Sequence, residues 1–172
     1  MGTQNKRYRT IGDLNSIEQS RRQMQETIDK GKDIEERRKF GQFSTPLDLA
    51  KEIVTYGLSL LSESDIAFLE PCMGSGAFYS ALLSAVNENY CIQAAAGIEI
   101  DPVYYGCASA LWGDLGISLV NDDFTKIAQK HKYNFVITNP PYVRHHYLTQ
   151  ETKSYLIERA KEEAKICLSA LA

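Results

Sequence analysis

The sequence predicts a doubly wound α/β domain, a mostly parallel sheet with helices on both faces. Two observations point there. Four short segments are continuous apolar runs separated by helical patterns, as the strands of a covered parallel sheet are. Each run also ends in residues suited to a ligand: Glu70 with the glycines after it, Glu99, the Asp122-Asp123 pair, and Asn139. In open sheets of this kind ligands lie outside the carboxyl ends of the strands.

The elements follow in order. Residues 14–39 are polar and rich in helix formers, with a thin apolar stripe of Ile17, Met24, Ile28 and Ile34. That predicts one or two surface helices broken near Gly31. The composition changes at Phe40. A loop over 41–46 leads to a helix with Thr45 as N-cap, Pro46 at its first position, and Leu49, Ile53, Val54 and Leu58 on one face. A strand over 66–69 is stopped by Glu70-Pro71 and the Gly74-Ser75-Gly76 turn, and a helix over 77–88 follows. Then come a strand over 94–100, a helix over 102–112, a strand over 117–120 and a short helix near 125–130. The fourth strand, 135–138, runs straight into Asn139-Pro140-Pro141-Tyr142, and a polar helical segment covers 149–165. The expected organisation is a basic helical leader, 1–39, and an α/β body, 40–172.

Length and composition bound the function. With 172 residues, 44% apolar, 24% charged and a formal net charge of −3, the chain has the make-up of about one globular domain. Collagen, low-complexity disorder and a disulfide scaffold are excluded. No apolar run approaches the roughly 20 residues of a membrane span, and the N-terminus lacks the apolar stretch of a signal peptide. A cytoplasmic protein without a membrane partner is expected. Neither Cys72, Cys91, Cys107 and Cys167 nor His131, His145 and His146 have zinc-ligand spacing, so no metal is expected. Residues 1–40 hold ten basic side chains against seven acidic, and the remainder nine against fifteen. The basic leader fits either a contact with phosphate backbone or a solvated helix face.

Each strand end has its own chemistry. Gly74 and Gly76 let the backbone pass close to a bound molecule. The third glycine of a dinucleotide fingerprint is absent, because Tyr79 stands in its place. Glu99 can accept both hydroxyls of a ribose. Asp123 can accept from an exocyclic amine of adenine with Phe124 against the ring; Asp122 competes, since one residue of register reverses the facing side chain. Asp101 reads as a turn residue before Pro102. In Asn139-Pro140-Pro141-Tyr142, two prolines without N–H groups fix a rigid loop between an amide side chain and an aromatic ring.

Together these segments resemble the S-adenosylmethionine-dependent DNA adenine-N6 methyltransferases of restriction-modification and phage-defence systems. Phe43-Ser44-Thr45-Pro46 resembles the family's N-terminal motif, Phe68 to Phe78 its glycine-rich loop, Gly97 to Pro102 its ribose-binding strand end, and Asn121 to Phe124 its adenine-binding one. Asn139-Pro140-Pro141-Tyr142 matches its catalytic tetrapeptide in full. The resemblance implies a Rossmann-like class I methyltransferase core that binds S-adenosyl-L-methionine through Phe43, Thr45, Glu70, Cys72, Gly74, Gly76, Glu99, Ile100, Asp123, Phe124 and Asn139. It implies Asn139, Pro140 and Tyr142 as catalytic residues. It also implies a chain truncated after about four strands, leaving the fourth as an exposed edge. Contacts to double-stranded DNA would fall in a missing C-terminal part, with restriction or specificity subunits as further partners. Two other readings stand beside it: a protein-glutamine N5 methyltransferase, which uses a similar tetrapeptide on a planar amide, and an inactive cofactor-binding remnant.

Overall fold

The computed structural model describes residues 11–39, 41–127, 132–143 and 147–166. Helices α1 (Ile11–Gly31), α2 (Ile34–Lys39) and α3 (Leu47–Ser59) precede strand β1 (Asp65–Glu70), helix α4 (Ala77–Ala85), strand β2 (Cys91–Ile98) and helix α5 (Pro102–Trp112). Strands β3 (Ser118–Val120) and β4 (Phe135–Val136) follow, then helix α6 (Gln150–Arg159), which runs on into a π turn over Ala160–Ala164. The four strands are parallel, in the order β3-β2-β1-β4. The chain therefore winds outward from β1 to β3 and returns across the sheet to lay β4 on the other side of β1. That reversal is the switch point at which open α/β sheets hold ligands.

Several predicted boundaries shift for identifiable reasons. The helix expected over 77–88 ends at Ala85, because Val86 takes an extended backbone with ψ 127°. Strand β2 begins at Cys91 rather than 94, since the β1 register extends back to Asp65 opposite Cys91. Strand β4 has two ladder residues instead of four. Its start is extended by Asn134, whose Oδ1 accepts from the Ala67 amide at 2.8 Å while its Nδ2 donates to the Asp65 carbonyl at 2.7 Å. The Ile137 amide donates to the Leu69 carbonyl at 3.1 Å, and then the prolines supply no N–H. The N-cap of α3 is Pro46, not Thr45, whose hydroxyl is engaged elsewhere. Of the helix expected near 125–130 the described part is a 3₁₀ turn over Phe124–Lys126; residues 128–130, the histidines and the final Cys167–Ala172 segment lie outside the described residues.

Packing on the sheet is dominated by aromatics. Phe68 meets Tyr79 and Phe135 at 5.9 Å between centroids, and Tyr79 meets Trp112 edge-on at 5.8 Å. Both polar tips are satisfied: the Tyr79 hydroxyl donates to the Leu115 carbonyl and the Trp112 indole to the Ser75 carbonyl, each at 2.8 Å. The place of a third glycine is thus filled by a ring that wedges α4 against the sheet.

Helix α1 departs most from expectation. It packs on α4 and α5, and the residues it buries are Glu18, Arg21 and Gln25. Their spacing is helical, but the stripe is polar. Arg21 makes a two-pronged pair with Glu18, both contacts 2.7 Å, and donates to Ser75 Oγ at 2.8 Å. Ser80 Oγ closes the set on Glu18 at 2.6 Å. Among the described residues, no helix is long and apolar enough to cross a membrane.

A buried pair of this kind is costly to break and cheap to replace. Arg21→Ala should destabilise the fold by about 3 kcal/mol, and Glu18→Leu with Arg21→Met should recover most of that loss. Urea denaturation of the two variants checks both; a loss below about 1 kcal/mol for Arg21→Ala would mark the pair as a surface contact.

Candidate active site

A cavity of about 580 Å³ opens at the carboxyl ends of the strands, a volume typical of small-molecule sites. It meets a smaller one of about 50 Å³ beneath the glycine turn. Glu99, Ile100, Asp123 and Phe124 line the larger, Thr45 and Glu70 the smaller, and Phe43, Cys72, Gly74 and Asn139 both. The four strand ends named from the sequence therefore face one space. Gly76, Pro140 and Tyr142 line neither cavity. Gly76 holds a left-handed backbone at the start of α4, where a Cβ would lie 2.4 Å from the Trp112 indole nitrogen. Its place is set by packing. Pro140 and Tyr142 are exposed at the rim, with the cavity wall taken by Pro141 between them.

Glu99 ties the two loops of the site together. One carboxylate oxygen accepts from the Gly74 amide at 2.6 Å, the other from the Asp101 amide at 2.8 Å. Burial raises its pKa, with those two amides pulling the other way. Asp101 caps α5 by accepting from the Val103 amide at 2.9 Å, and it also pairs with Lys32 and accepts from Gln42. Burial favours its neutral form, but Lys32, the Val103 amide and Gln42 together hold its carboxyl below the usual range. Asp123 Oδ1 takes both the amide and the hydroxyl of Thr125. Asp122 also lines the larger cavity, so both competing carboxylates stand on its wall.

The Asn139 side chain has a defined polarity. Its Nδ2 donates to the Phe43 carbonyl at 3.3 Å and to Thr45 Oγ1 at 3.2 Å. Among the described residues its Oδ1 takes no hydrogen bond. The Phe43–Thr45 segment therefore sets which end of the amide is left for a ligand. Burial pushes the Cys72 thiol up to about 11, against a side-chain contact with Thr138 that lowers it.

Four contributors were not legible as site residues. Gly41 sits directly under the tetrapeptide, and a Cβ there would fall 2.2 Å from the Tyr142 amide nitrogen. Gln25 of α1, buried in the polar stripe, lines both cavities. Tyr155 and Leu156 of α6 wall the larger one, α6 being fixed by Tyr155 and Arg159, which both donate to the Thr125 carbonyl. No motif marks any of them. Among the described residues, no cluster of three or more His, Cys, Asp or Glu side chains has the arrangement of a metal site.

The fold is that of the class I S-adenosylmethionine-dependent methyltransferases. The chain superposes on one such protein from Listeria monocytogenes with a TM-score of 0.61 at 16% identity, covering 87% of this chain and 50% of that one. A protein from Pyrococcus horikoshii described as an RNA methyltransferase gives 0.52 at 19% identity, over 72% and 59% of the two chains. In sequence, residues 110–168 match the Eco57I restriction-modification methylase family. The chain is also 32% identical over 114 residues to the Type II methyltransferase M.AccI of Acinetobacter calcoaceticus. That alignment covers 66% of this chain and 20% of the relative, so the chain spans about one fifth of the curated protein it matches.

Two substitutions probe the site's construction. Glu70 is 1% exposed, and burial drives its pKa well up despite the Tyr79 and Phe78 amides and the charge of Arg21, with Glu99 adding to the rise. Between the ordinary carboxyl pKa and this raised value the folded state holds a proton that the unfolded state has lost. Stability from this group therefore falls as pH rises through that window. Glu70→Gln should raise the melting temperature at pH 7 and flatten its decline above pH ~4.5, as followed by circular dichroism. Gly41→Ala combines a φ of +61° with the clash on Tyr142 and should cost about 2 kcal/mol in the same measurement.

Proposed function

We propose that this chain forms the cofactor-binding and catalytic part of a restriction-modification DNA methyltransferase that transfers a methyl group from S-adenosylmethionine to adenine N6. The observation that carries this reading is Asn139: an amide with its donor end pinned by Phe43 and Thr45 and its acceptor end left for a ligand, on a cavity floored by the glycine turn. The cavity residues fit the cofactor's chemistry. Glu99 suits a ribose diol, Asp123 and Phe124 suit an adenine ring, and among the described residues neither cavity is lined by a Lys, Arg or His that would repel a cation.

When bound, S-adenosylmethionine supplies an electrophilic methyl on a positively charged sulfur. The protein's task is to activate and align the nucleophile. Adenine N6 is a poor one, because its lone pair is delocalised into the ring. Asn139 Oδ1 and the Pro140 carbonyl each accept one N6 hydrogen, which localises the lone pair and stabilises the positive charge that grows as nitrogen attacks. Pro140 and Pro141 keep that carbonyl in place through backbone rigidity. Tyr142, 68% exposed at the rim, stacks on the base once it is extruded from the duplex. Holding the two partners in line contributes the rest of the rate. Double-stranded DNA is the substrate, and restriction or specificity subunits are the partners such a system supplies.

Asn139→Ala should lower methyl transfer to duplex DNA at least about a hundredfold while S-adenosylhomocysteine affinity stays within about threefold of the parent, below the tenfold that 1.4 kcal/mol represents. Tritiated methyl incorporation and calorimetry measure the two. Incorporation into a protein glutamine and none into adenine would replace this reading with the glutamine N5 one. Cofactor binding without any transfer by the parent protein would leave the inactive remnant.

A further inference from the structure

Helix α1 brings a side chain into the site whose placement packing alone does not explain. Gln25 is 8% exposed, yet it lines both the larger cavity and the smaller one, and so stands at their junction. Its Nε2 donates to Asp29 Oδ1 at 2.8 Å. Among the described residues nothing donates to its Oε1, and that oxygen is not among the sealed, unsatisfied atoms. The donor end of the amide is thus engaged by Asp29, beside the Tyr104 hydroxyl, and the acceptor end is left for whatever fills the cavity. Asp29 does not depend on Gln25: it also accepts from the Tyr104 hydroxyl at 2.7 Å and pairs with Arg37 at 3.3 Å.

The junction has a charge preference. The polar residues that line the smaller cavity are Glu70, Ser44, Thr45, Ser75, Gln25 and Asn139, and among the described residues no cationic side chain lines it. Arg21, the nearest positive group on the same helix face, is held by Glu18 and Ser75. Each of the residues lining the smaller cavity can offer an oxygen acceptor and none of them carries a fixed positive charge, which suits a group that only donates and is positively charged.

We propose that Gln25 reads the amino-acid end of the cofactor, its Oε1 accepting a hydrogen bond from the ammonium. This rests on the S-adenosylmethionine reading above and adds a binding residue from the N-terminal helix. The helix then serves as one wall of the cofactor site, with Glu18 and Arg21 fixing Gln25 by anchoring the helix on Ser75 and Ser80.

The test compares two ligands by calorimetry. S-adenosylhomocysteine carries the ammonium on a neutral thioether, and 5′-methylthioadenosine lacks the amino-acid end altogether. Gln25→Met, close in shape, should weaken S-adenosylhomocysteine about tenfold and change 5′-methylthioadenosine by less than about twofold. Gln25→Ala removes the same acceptor and should show the same ligand-selective loss, and this second variant carries the test if the first does not fold. Equal losses for both ligands, or no loss of S-adenosylhomocysteine affinity in either variant, would overturn the assignment. A parent protein that binds neither ligand would instead overturn the S-adenosylmethionine reading beneath it.

Discussion

The return of the chain to β1 is the constraint on which the site depends. After three strands laid outward in sequence, β4 pairs on the opposite side of β1, through Phe68 opposite Phe135 and Leu69 opposite Val136. Two loops far apart in sequence then leave the sheet side by side: Glu70 to Gly76 after β1, and Asn139 to Tyr142 after β4. Had β4 continued outward beyond β3, two strands would separate those loops. The short β4 ladder is enough because Asn134 and Ile137 extend the pairing at either end. Gly57 lets α3 lie on the Phe135 ring, where any Cβ would fall within 2.6 Å of it.

Around that switch point the fold concentrates acceptors. Glu99, Asp122 and Asp123 line the larger cavity and Glu70 the smaller, and among the described residues neither lining has a basic side chain. Burial raises the pKa of Glu70 and Glu99, so the unliganded fold bears a desolvation cost that a cation in the cavity would offset. The local basic groups are committed elsewhere: Arg21 to Glu18, Lys32 to Asp101, Arg37 to Asp29. Each of these three pairs draws its cation from the N-terminal segment, Arg21 from α1, Arg37 from α2 and Lys32 from the bend between them. Only Lys32 pairs with an acid outside that segment, since Glu18 and Asp29 are themselves residues of α1, so one unit of the excess positive charge over residues 1–40 is structural.

How much of this the sequence reveals depends on the kind of signal. The four strands show as apolar runs, and their polar ends point to the pocket because strand ends are positions where core packing gives no reason for a carboxylate or an amide. Glu70, Glu99, Asp123 and Asn139 could be singled out on that ground. The α1 stripe could not, because Glu18, Arg21 and Gln25 lie at helical spacing but are polar, and periodicity analysis counts apolar residues. Gly41 looked like an ordinary loop glycine, since the Tyr142 backbone that crowds it lies a hundred residues on. Tyr155 and Leu156 sit on a helix with no buried residue, and only the fold shows that it faces the cavity. Local grammar makes Thr45 a helix cap, but a partner distant in sequence takes its hydroxyl instead.

That last exchange bears on why two separated motifs act as one unit. An amide side chain is nearly symmetric in shape but not in chemistry: one end donates and the other accepts. Left to itself, Asn139 could present either end. The Phe43 carbonyl can only accept, so it requires the NH₂ group, and Thr45 Oγ1, accepting at 3.2 Å, reinforces that choice. The acceptor oxygen is then turned toward the ligand by residues that need not touch it. An aspartate at 139 would have no N–H to give and would face the Phe43 carbonyl with like partial charge, so the loop over 43–45 selects an amide over an acid. The tetrapeptide's chemistry is in this sense written partly upstream of the sheet, and the two segments are brought together only because β4 returns to β1.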